Sequence, residues 1–89
     1  MVSHATPDFW NQFSGLPKRV QEDAKKAFRL FLGNPAHPGL EFKKLQGTTS
    51  LYSVRVGAHY RAVGELSGES INWFWIGSHA DYDKLLTQF

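Results

Sequence analysis

The 89-residue sequence contains no cysteine and no long apolar run. The missing cysteines exclude disulfide bonds and thiolate metal sites, and they are compatible with a reducing cytoplasm. The longest strongly apolar run, residues 73–76, is far shorter than the ~20 residues that a membrane-spanning helix needs. Residues 1–7 lack the positive start and apolar centre of a secretory signal. We therefore expect a soluble, cytoplasmic protein that has no membrane partner.

Strong charge of either sign is also absent, since the formal net charge is only +2. So small an excess does not by itself indicate a polyanionic partner. The four histidines lack metal-ligand spacing, and we expect neither a metal nor a cofactor. Apolar residues, by contrast, make up 42% of the sequence and aromatic residues 15%. This composition predicts a globular chain, and its length fits one domain over residues 1–89.

Two helices are predicted in the first third of the chain. Thr6 before Pro7 is typical of a capped helix start, and Gly15 ends this short helix. Apolar residues then recur at helical spacing, which predicts a second helix that Gly33 and the following proline end. The apolar positions of this second helix are Leu16, Val20, Ala24, Ala27, Phe28 and Phe31.

The apolar period changes from helical to two after a loop over residues 34–39. Residues 40–45 give a weak strand signal, whereas residues 51–56, 60–66 and 71–76 predict three strands joined by short turns. Residues 80–87 predict a short C-terminal helix with Leu86 among its inward residues. This order predicts an α+β fold, in which two N-terminal helices pack on one face of a three- to four-stranded antiparallel sheet.

The hydrophobic pattern also fixes the pairing of two strands. A three-residue turn at residues 57–59 keeps the apolar side chains of both strands on the core face, whereas a two-residue turn mixes the faces. The favoured register places Arg55 directly opposite Arg61, on the face away from the helices. Such like charges repel, so one interpretation is a phosphate bound between the two guanidinium groups. The alternative is a pair of solvated arginines, one of them paired with Glu65.

The last strand carries four large apolar residues with alternating directions. We expect Trp73 and Trp75 to face the helices, and Phe74 and Ile76 to face outward, where a partner could cover them. The residues expected to be buried in the core are Val54, Val56, Ala62, Phe28 and Trp75.

Five segments occur in a characteristic order: NPAHPGL at 34–40, FKKLQG at 42–47, YSVRVG at 52–57, YRAV at 60–63 and IGSH at 76–79. This ordered set resembles the RelE/ParE superfamily of toxins from type II toxin–antitoxin systems, over about residues 16–86. The resemblance implies two helices packed on an antiparallel sheet, and an antitoxin that wraps around the toxin. RelE-like members cleave messenger RNA in the ribosomal A site without a metal, and ParE-like members poison DNA gyrase.

The resemblance also implies site residues. Arg61 matches the arginine of the family's Tyr-Arg motif, which supports the scissile phosphate, and Arg55 matches a basic position on the preceding strand. His79 matches a position where relatives have arginine or histidine, and Tyr82 lies near a family aromatic. These four are the candidate catalytic residues. The candidate RNA contacts are Lys43, Lys44, Ser53 and His59. Ser53 stands where some relatives have a lysine that is proposed as the base.

Three functions stay open at this point. The chain can be a metal-free, ribosome-dependent messenger RNA endoribonuclease, a ParE-like gyrase inhibitor without nuclease activity, or a catalytically inactive relative that only binds an antitoxin. The arginine pair with His79 favours the ribonuclease, because histidine suits proton transfer near neutral pH. The missing lysine at Ser53 favours the other two. The expected partners are messenger RNA on the ribosome and a cognate antitoxin, whose short acidic segment would bind across the sheet.

Overall fold

The structure, a computed structural model, describes residues 1–88 and consists of a five-stranded sheet with helices on both faces. Its elements in chain order are β1 (Val2–Ala5), α1 (Pro7–Ser14), α2 (Lys18–Gly33), a 3-10 turn (Pro38–Leu40), β2 (Lys43–Lys44), β3 (Leu51–Val56), β4 (Tyr60–Ser67), β5 (Ser70–Ser78) and α3 (His79–Leu86). The strand order across the sheet is β1-β5-β4-β3-β2. The predicted α+β class, with two N-terminal helices and a short C-terminal one, is confirmed.

Local hydrogen bonds account for where the helices begin. The Thr6 side chain accepts the backbone N–H of Phe9 at 3.1 Å and caps α1, as the sequence predicts. Helix α2 has no side-chain cap. Its Gln21 amide instead donates to the carbonyl oxygens of Phe13 and Leu16, each at 3.1 Å, and so ties the start of α2 to the end of α1.

The sheet separates two apolar clusters. Helices α1 and α2 cover one face, over the larger cluster, and α3 contacts β4 and β5 through the smaller one. The larger cluster contains Phe9, Ala24, Ala27, Phe31, Leu40, Val54, Val56, Ala62, Ile71, Trp73 and Ile76. The smaller cluster contains Leu45, Val63 and Tyr82. The face that the sequence analysis left open is therefore partly covered by α3.

The predicted register of β3 and β4 is confirmed. Val56 lies opposite Tyr60, Val54 opposite Ala62, and Arg55 opposite Arg61. The turn between the strands needs glycine at position 57, because its φ is +59°. A β-carbon there would also lie 2.6 Å from a carboxylate oxygen of the α2 residue Asp23, which is closer than real contacts allow.

A β-bulge overturns the prediction for the last strand. Val63 of β4 pairs with Trp75 and Gly64 pairs with Trp73, so Phe74 lies between two consecutive partners and pairs with neither. The extra residue reverses the direction of every side chain after it. Trp73 faces α1 and α2, whereas Trp75 faces α3 and is only half-buried. The prediction of an exposed Phe74/Ile76 face is thus wrong, since Ile76 lies in the larger core.

Two further differences concern the sheet edge and the helices. The sheet has more strands than predicted, because β1 pairs in parallel with β5 and adds an edge. The short polar sequence of β1 hides this strand, although Ser3 accepts the indole N–H of Trp73 at 2.8 Å. Phe28 was expected in the core but is 44% exposed. It lines an open cleft of about 280 Å³ between α1 and α2, together with Trp10. Leu86 is exposed as well.

We expect Gly64→Ala to destabilise the protein, because the bulge brings Trp73 and Ile71 against this glycine. An added β-carbon would lie 2.7 Å from Trp73 Cε3 and 2.9 Å from Ile71 Cγ1. Overpacking of this kind costs about 1–3 kcal/mol, which urea denaturation measures. The control is Gly33→Ala in α2, where nothing lies within 4 Å of the added atom. Equal stability of the two variants would contradict the packing described for the bulge.

Candidate active site

The paired arginines of β3 and β4 form the centre of the candidate site. Both side chains reach the carboxylate of Glu41, which lies just after the 3-10 turn. The Arg55 Nη1–Glu41 Oε2 distance is 3.2 Å and the Arg61 Nη1–Glu41 Oε1 distance is 3.6 Å. Repulsion between the two guanidinium groups is thus offset by one shared negative charge. A side chain of the protein itself lies where the sequence suggested a bound phosphate, and Glu65, the alternative partner, forms no ion pair with either arginine among the described residues.

Arg61 is buried, with only 4% of its side chain exposed. Its Nη2 donates to the Glu41 backbone oxygen at 2.9 Å and to Ser53 Oγ at 3.1 Å. The guanidinium carbon lies 5.3 Å from the centre of the Tyr82 ring, within cation–π range. Among the described residues, Arg61 Nε is buried without a hydrogen-bond partner. The protein therefore fixes this guanidinium in place without using all of its donors.

Arg55 differs from Arg61 in its exposure. Its side chain is 44% exposed, and its Nε donates to the Gly57 backbone oxygen at 2.9 Å. This bond and the Glu41 contact hold the guanidinium at the end of β3. Arg55 is therefore the arginine of the pair that a ligand meets first.

His79 is the first residue of α3, which Ser78 caps by accepting the Asp81 N–H at 3.1 Å. The His79 backbone N–H donates to the His59 oxygen at 2.7 Å, so the helix start is fixed to the β3–β4 turn. The imidazole is 55% exposed, and its Nδ1 lies 3.4 Å from Asp83 Oδ2. An exposed imidazole with a carboxylate behind it is suited to proton transfer.

Tyr82 connects the histidine to the arginines. Its ring centre lies 5.7 Å from that of His79, and its hydroxyl lies 3.1 Å from Ser53 Oγ. Tyr82 is itself buried. The structure therefore connects all four candidate catalytic residues: His79 contacts Tyr82, Tyr82 contacts Arg61, and the shared carboxylate of Glu41 joins Arg61 to Arg55.

The four candidate RNA contacts have different surroundings. Lys43 and Lys44 form β2 beside β3, and both are exposed, as is His59 in the β3–β4 turn. Ser53 is fully buried and binds Arg61 and Tyr82. Its hydroxyl thus orients the site from within and is not presented at the surface.

Glu41 is the site residue that the sequence analysis missed. Residues 40–45 carry a weak strand pattern, and in that interpretation Glu41 is one of several alternating polar residues. The structure instead gives Glu41 a left-handed backbone with φ 45° and ψ 47°, the one positive φ of a non-glycine residue among residues 1–88. A left-handed glutamate is uncommon, and nothing in the local sequence signals it.

Within residues 1–88, no helix is both long and apolar enough to cross a membrane. In the same part of the chain, no three histidine, cysteine, aspartate or glutamate side chains gather as metal ligands.

We expect Arg61→Ala to lower the free energy of unfolding by about 2–4 kcal/mol, because it leaves a cavity and removes the donor from two acceptors. Arg55→Ala changes a partly exposed side chain and should lower the free energy of unfolding by no more than about 1 kcal/mol. Chemical denaturation of both variants measures the difference. The burial of Arg61 thus makes its alanine variant a poor probe of activity, since loss of fold and loss of function coincide.

Several solved structures share this fold. The chain is similar to RelE of the RelB–RelE antitoxin–toxin complex from Methanococcus jannaschii, with 18% identity, 92% of this chain and 96% of that chain covered, and a TM-score of 0.75. It is similar to YafQ from E. coli at 15% identity, with coverage of 90% and 94% and a TM-score of 0.72. It is also similar to the YoeB/ParE toxin from Agrobacterium tumefaciens, with 20% identity, 89% of this chain and 99% of that chain covered, and a TM-score of 0.70. No curated protein matches by sequence.

At 15–20% identity, these likenesses show a shared fold. A family model described as the ParE-like toxin domain matches residues 18–84, well over half of the chain. The chain belongs to this ParE-like toxin family, and the RelE/ParE resemblance of the sequence is thereby confirmed.

Proposed function

We propose that this toxin is a ribosome-dependent endoribonuclease that cleaves messenger RNA without a metal cofactor and so inhibits translation. The single observation that carries the proposal is the arrangement of Arg55, Arg61 and His79 at one end of the β3-β4-β5 sheet. Two fixed guanidinium groups beside an exposed imidazole supply charge stabilisation and proton transfer, which are the two needs of phosphodiester cleavage.

The reaction in this proposal is attack of a 2′-hydroxyl on the adjacent phosphorus. The new bond joins the 2′-oxygen to phosphorus, and the bond from phosphorus to the 5′-oxygen breaks. Arg55 and Arg61 stabilise the negative charge that develops on the phosphoryl oxygens, and His79 donates a proton to the leaving 5′-oxygen. The 2′-hydroxyl proton passes to a phosphate oxygen or to a ribosomal group. Glu41, the carboxylate that contacts the arginine pair, is not assigned this proton because both arginines already bind it.

The exposed basic residues around the site support an RNA substrate. Lys43 pairs with Ser53 and so lies on the same face of the sheet as the arginine pair, and His59 lies in the β3–β4 turn, whereas Lys44 pairs with Tyr52 on the helical face. Lysine contacts to phosphates give affinity without sequence choice. This is sufficient for an enzyme whose substrate the ribosome positions.

The experiment that tests the proposal is induced expression of the toxin, followed by mapping of messenger RNA 5′ ends within translated codons. Cleavage by purified toxin of messenger RNA programmed on ribosomes, but not of free RNA, is the expected result. Toxin that is stripped of metals with EDTA and then returned to magnesium-containing ribosome buffer should cleave as fast as untreated toxin. Growth arrest with intact messenger RNA would contradict the nuclease.

A ParE-like, non-nucleolytic inhibitor of DNA gyrase is the second candidate, and two observations favour it. The matching family model is of the ParE-like domain, and the guanidinium of Arg61 is closed to solvent. The two functions separate on one measurement, the supercoiling activity of purified gyrase with added toxin. Inhibition of gyrase with intact messenger RNA supports this second function.

We also propose a cognate antitoxin as the partner, since several of the similar structures are complexes of this kind, among them RelB–RelE from Methanococcus jannaschii and DinJ–YafQ from E. coli. The predicted Phe74/Ile76 surface is not available for it, because Ile76 is buried. Large apolar side chains are exposed instead on α1 and α2, among them Trp10, Phe28 and Leu32. Rescue of growth by the product of a neighbouring reading frame, together with its copurification, tests this partner.

A further inference from the structure

The carboxylate of Glu41 occupies the place in which the proposed function requires a phosphate. We propose that Glu41 is a built-in competitor for this site: in the free protein it neutralises Arg55 and Arg61, and a substrate phosphate must displace it. The inference rests on the proposed phosphate site and describes how that site is regulated. It goes beyond the proposed function because it assigns a role to a residue that takes no part in the proton transfers.

The exposures of the three side chains support a displacement. Arg61 is 4% exposed, whereas Glu41 and Arg55 are 46% and 44% exposed. The route from solvent to the arginine pair is therefore on the side that Glu41 occupies. An anion that exchanges with this carboxylate meets the guanidinium groups directly, without any need to move the buried Ser53 or Tyr82.

The backbone of Glu41 allows its side chain to leave while Arg61 stays in place. The Glu41 carbonyl oxygen, not its carboxylate, accepts the shortest bond from Arg61, at 2.9 Å. Its neighbours fix the backbone on both sides: Leu40 is 1% exposed, and Phe42 stacks on Tyr52 with ring centres 4.9 Å apart. Displacement thus requires rotation of one side chain only, and the arginine pair remains preorganised.

Exchange of the Glu41 carboxylate for a phosphate group changes the charge around the arginine pair very little. Among the described residues, no other carboxylate forms an ion pair with Arg55 or Arg61. A phosphodiester carries one negative charge, as the carboxylate does, so the exchange leaves the net charge of the site unchanged. Binding of a lone phosphate group is consequently weak. A substrate held by many other contacts, as on the ribosome, displaces Glu41 more readily.

The test compares binding of inorganic phosphate to the wild type and to Glu41→Gln in a phosphate-free chloride buffer of low ionic strength. Titration is followed by the NMR signals of the arginine side chains. Loss of the competing charge should tighten phosphate binding by up to about fivefold, the upper effect of one partly exposed ion pair. The matched control Glu69→Gln removes the same charge from the distant β4–β5 turn, and its affinity should equal that of the wild type.

A second variant covers a failure of Glu41→Gln to fold. Glycine suits the left-handed conformation of residue 41, so Glu41→Gly removes the carboxylate and relieves the backbone. It should bind phosphate at least as tightly as Glu41→Gln. Adding Arg55→Ala to either variant should abolish the gain, because the phosphate then loses its exposed ligand.

The outcomes separate this inference from the proposed function. Phosphate affinity that is unchanged or weaker in both Glu41 variants would overturn the inference, even where the wild type cleaves messenger RNA. Tighter binding supports the inference, even where the wild type cleaves no RNA and the nuclease proposal fails. Loss of cleavage in Glu41→Gln without a gain in phosphate affinity overturns it in favour of Glu41 as the proton acceptor.

Discussion

Replacement of His79 by alanine should lower the rate of ribosome-dependent messenger RNA cleavage by about 10²–10⁴-fold, the range for loss of a proton-transfer group. The effect should be large because His79 carries an exposed imidazole, and its neighbour Tyr82 contacts Arg61 of the arginine pair. Without a proton donor, the 5′-oxygen has to leave as an alkoxide. Single-turnover cleavage on programmed ribosomes measures this rate.

The fold should tolerate this change, which makes the loss of rate interpretable. The bond from the residue 79 backbone N–H to His59 and the Ser78 cap of α3 do not involve the imidazole. The side chain contributes only an exposed pair with Asp83, of little value to stability. His4→Ala, an exposed position on β1 at the other end of β5, is the control. Equal rates for His79→Ala and His4→Ala would remove His79 from the mechanism.

Replacement of Arg55 by alanine should lower the same rate by about 10²–10³-fold, as for other preorganised charge contacts. Arg55 is the accessible member of the pair, so a phosphate meets it first. Arg55→Lys should restore only part of the rate, because an ammonium group keeps the charge but lacks the planar fork that binds two phosphate oxygens. Cleavage rates of all three proteins on one messenger RNA test this order.

The control for Arg55 is Arg19→Ala, an exposed arginine at the start of α2 and on the helical side of the sheet. It removes the same charge and should leave the rate unchanged. Stability must be measured as well, since Arg55→Ala also frees Glu41 from one of its two partners. Full cleavage activity in Arg55→Ala, with an intact fold, would mean that Arg55 has no role in catalysis.

Part of the fold and part of the site follow from the local pattern of the sequence. Thr6, Pro7 and Gly15 predict the bounds of α1, and apolar spacing predicts α2, because capping and helical periodicity are local effects. The alternation of β3 and β4 even predicts the Arg55–Arg61 pair. One face of these strands packs against α1 and α2, so a shift of one residue would place arginine beneath these helices.

Other features depend on neighbours that are distant in sequence. Strand β1 forms because β5 offers it an edge, and its own four residues carry little strand signal. The bulge at Phe74 lets Trp73 and Trp75 fill two different clusters, which an alternating pattern cannot anticipate. Phe28 lies at helical core spacing, yet the cleft between α1 and α2 leaves it exposed.

The sequence by itself thus determined the α+β order of elements, the register of β3 and β4, and the presence of two opposed arginines. The tertiary structure alone decided their environments. It buries Arg61 beneath Tyr82, leaves Arg55 exposed, and places the Glu41 carboxylate against both. The physical reason is range: turns, caps and strand faces depend on residues a few positions apart, whereas burial and ion pairing depend on groups that only the completed fold brings together.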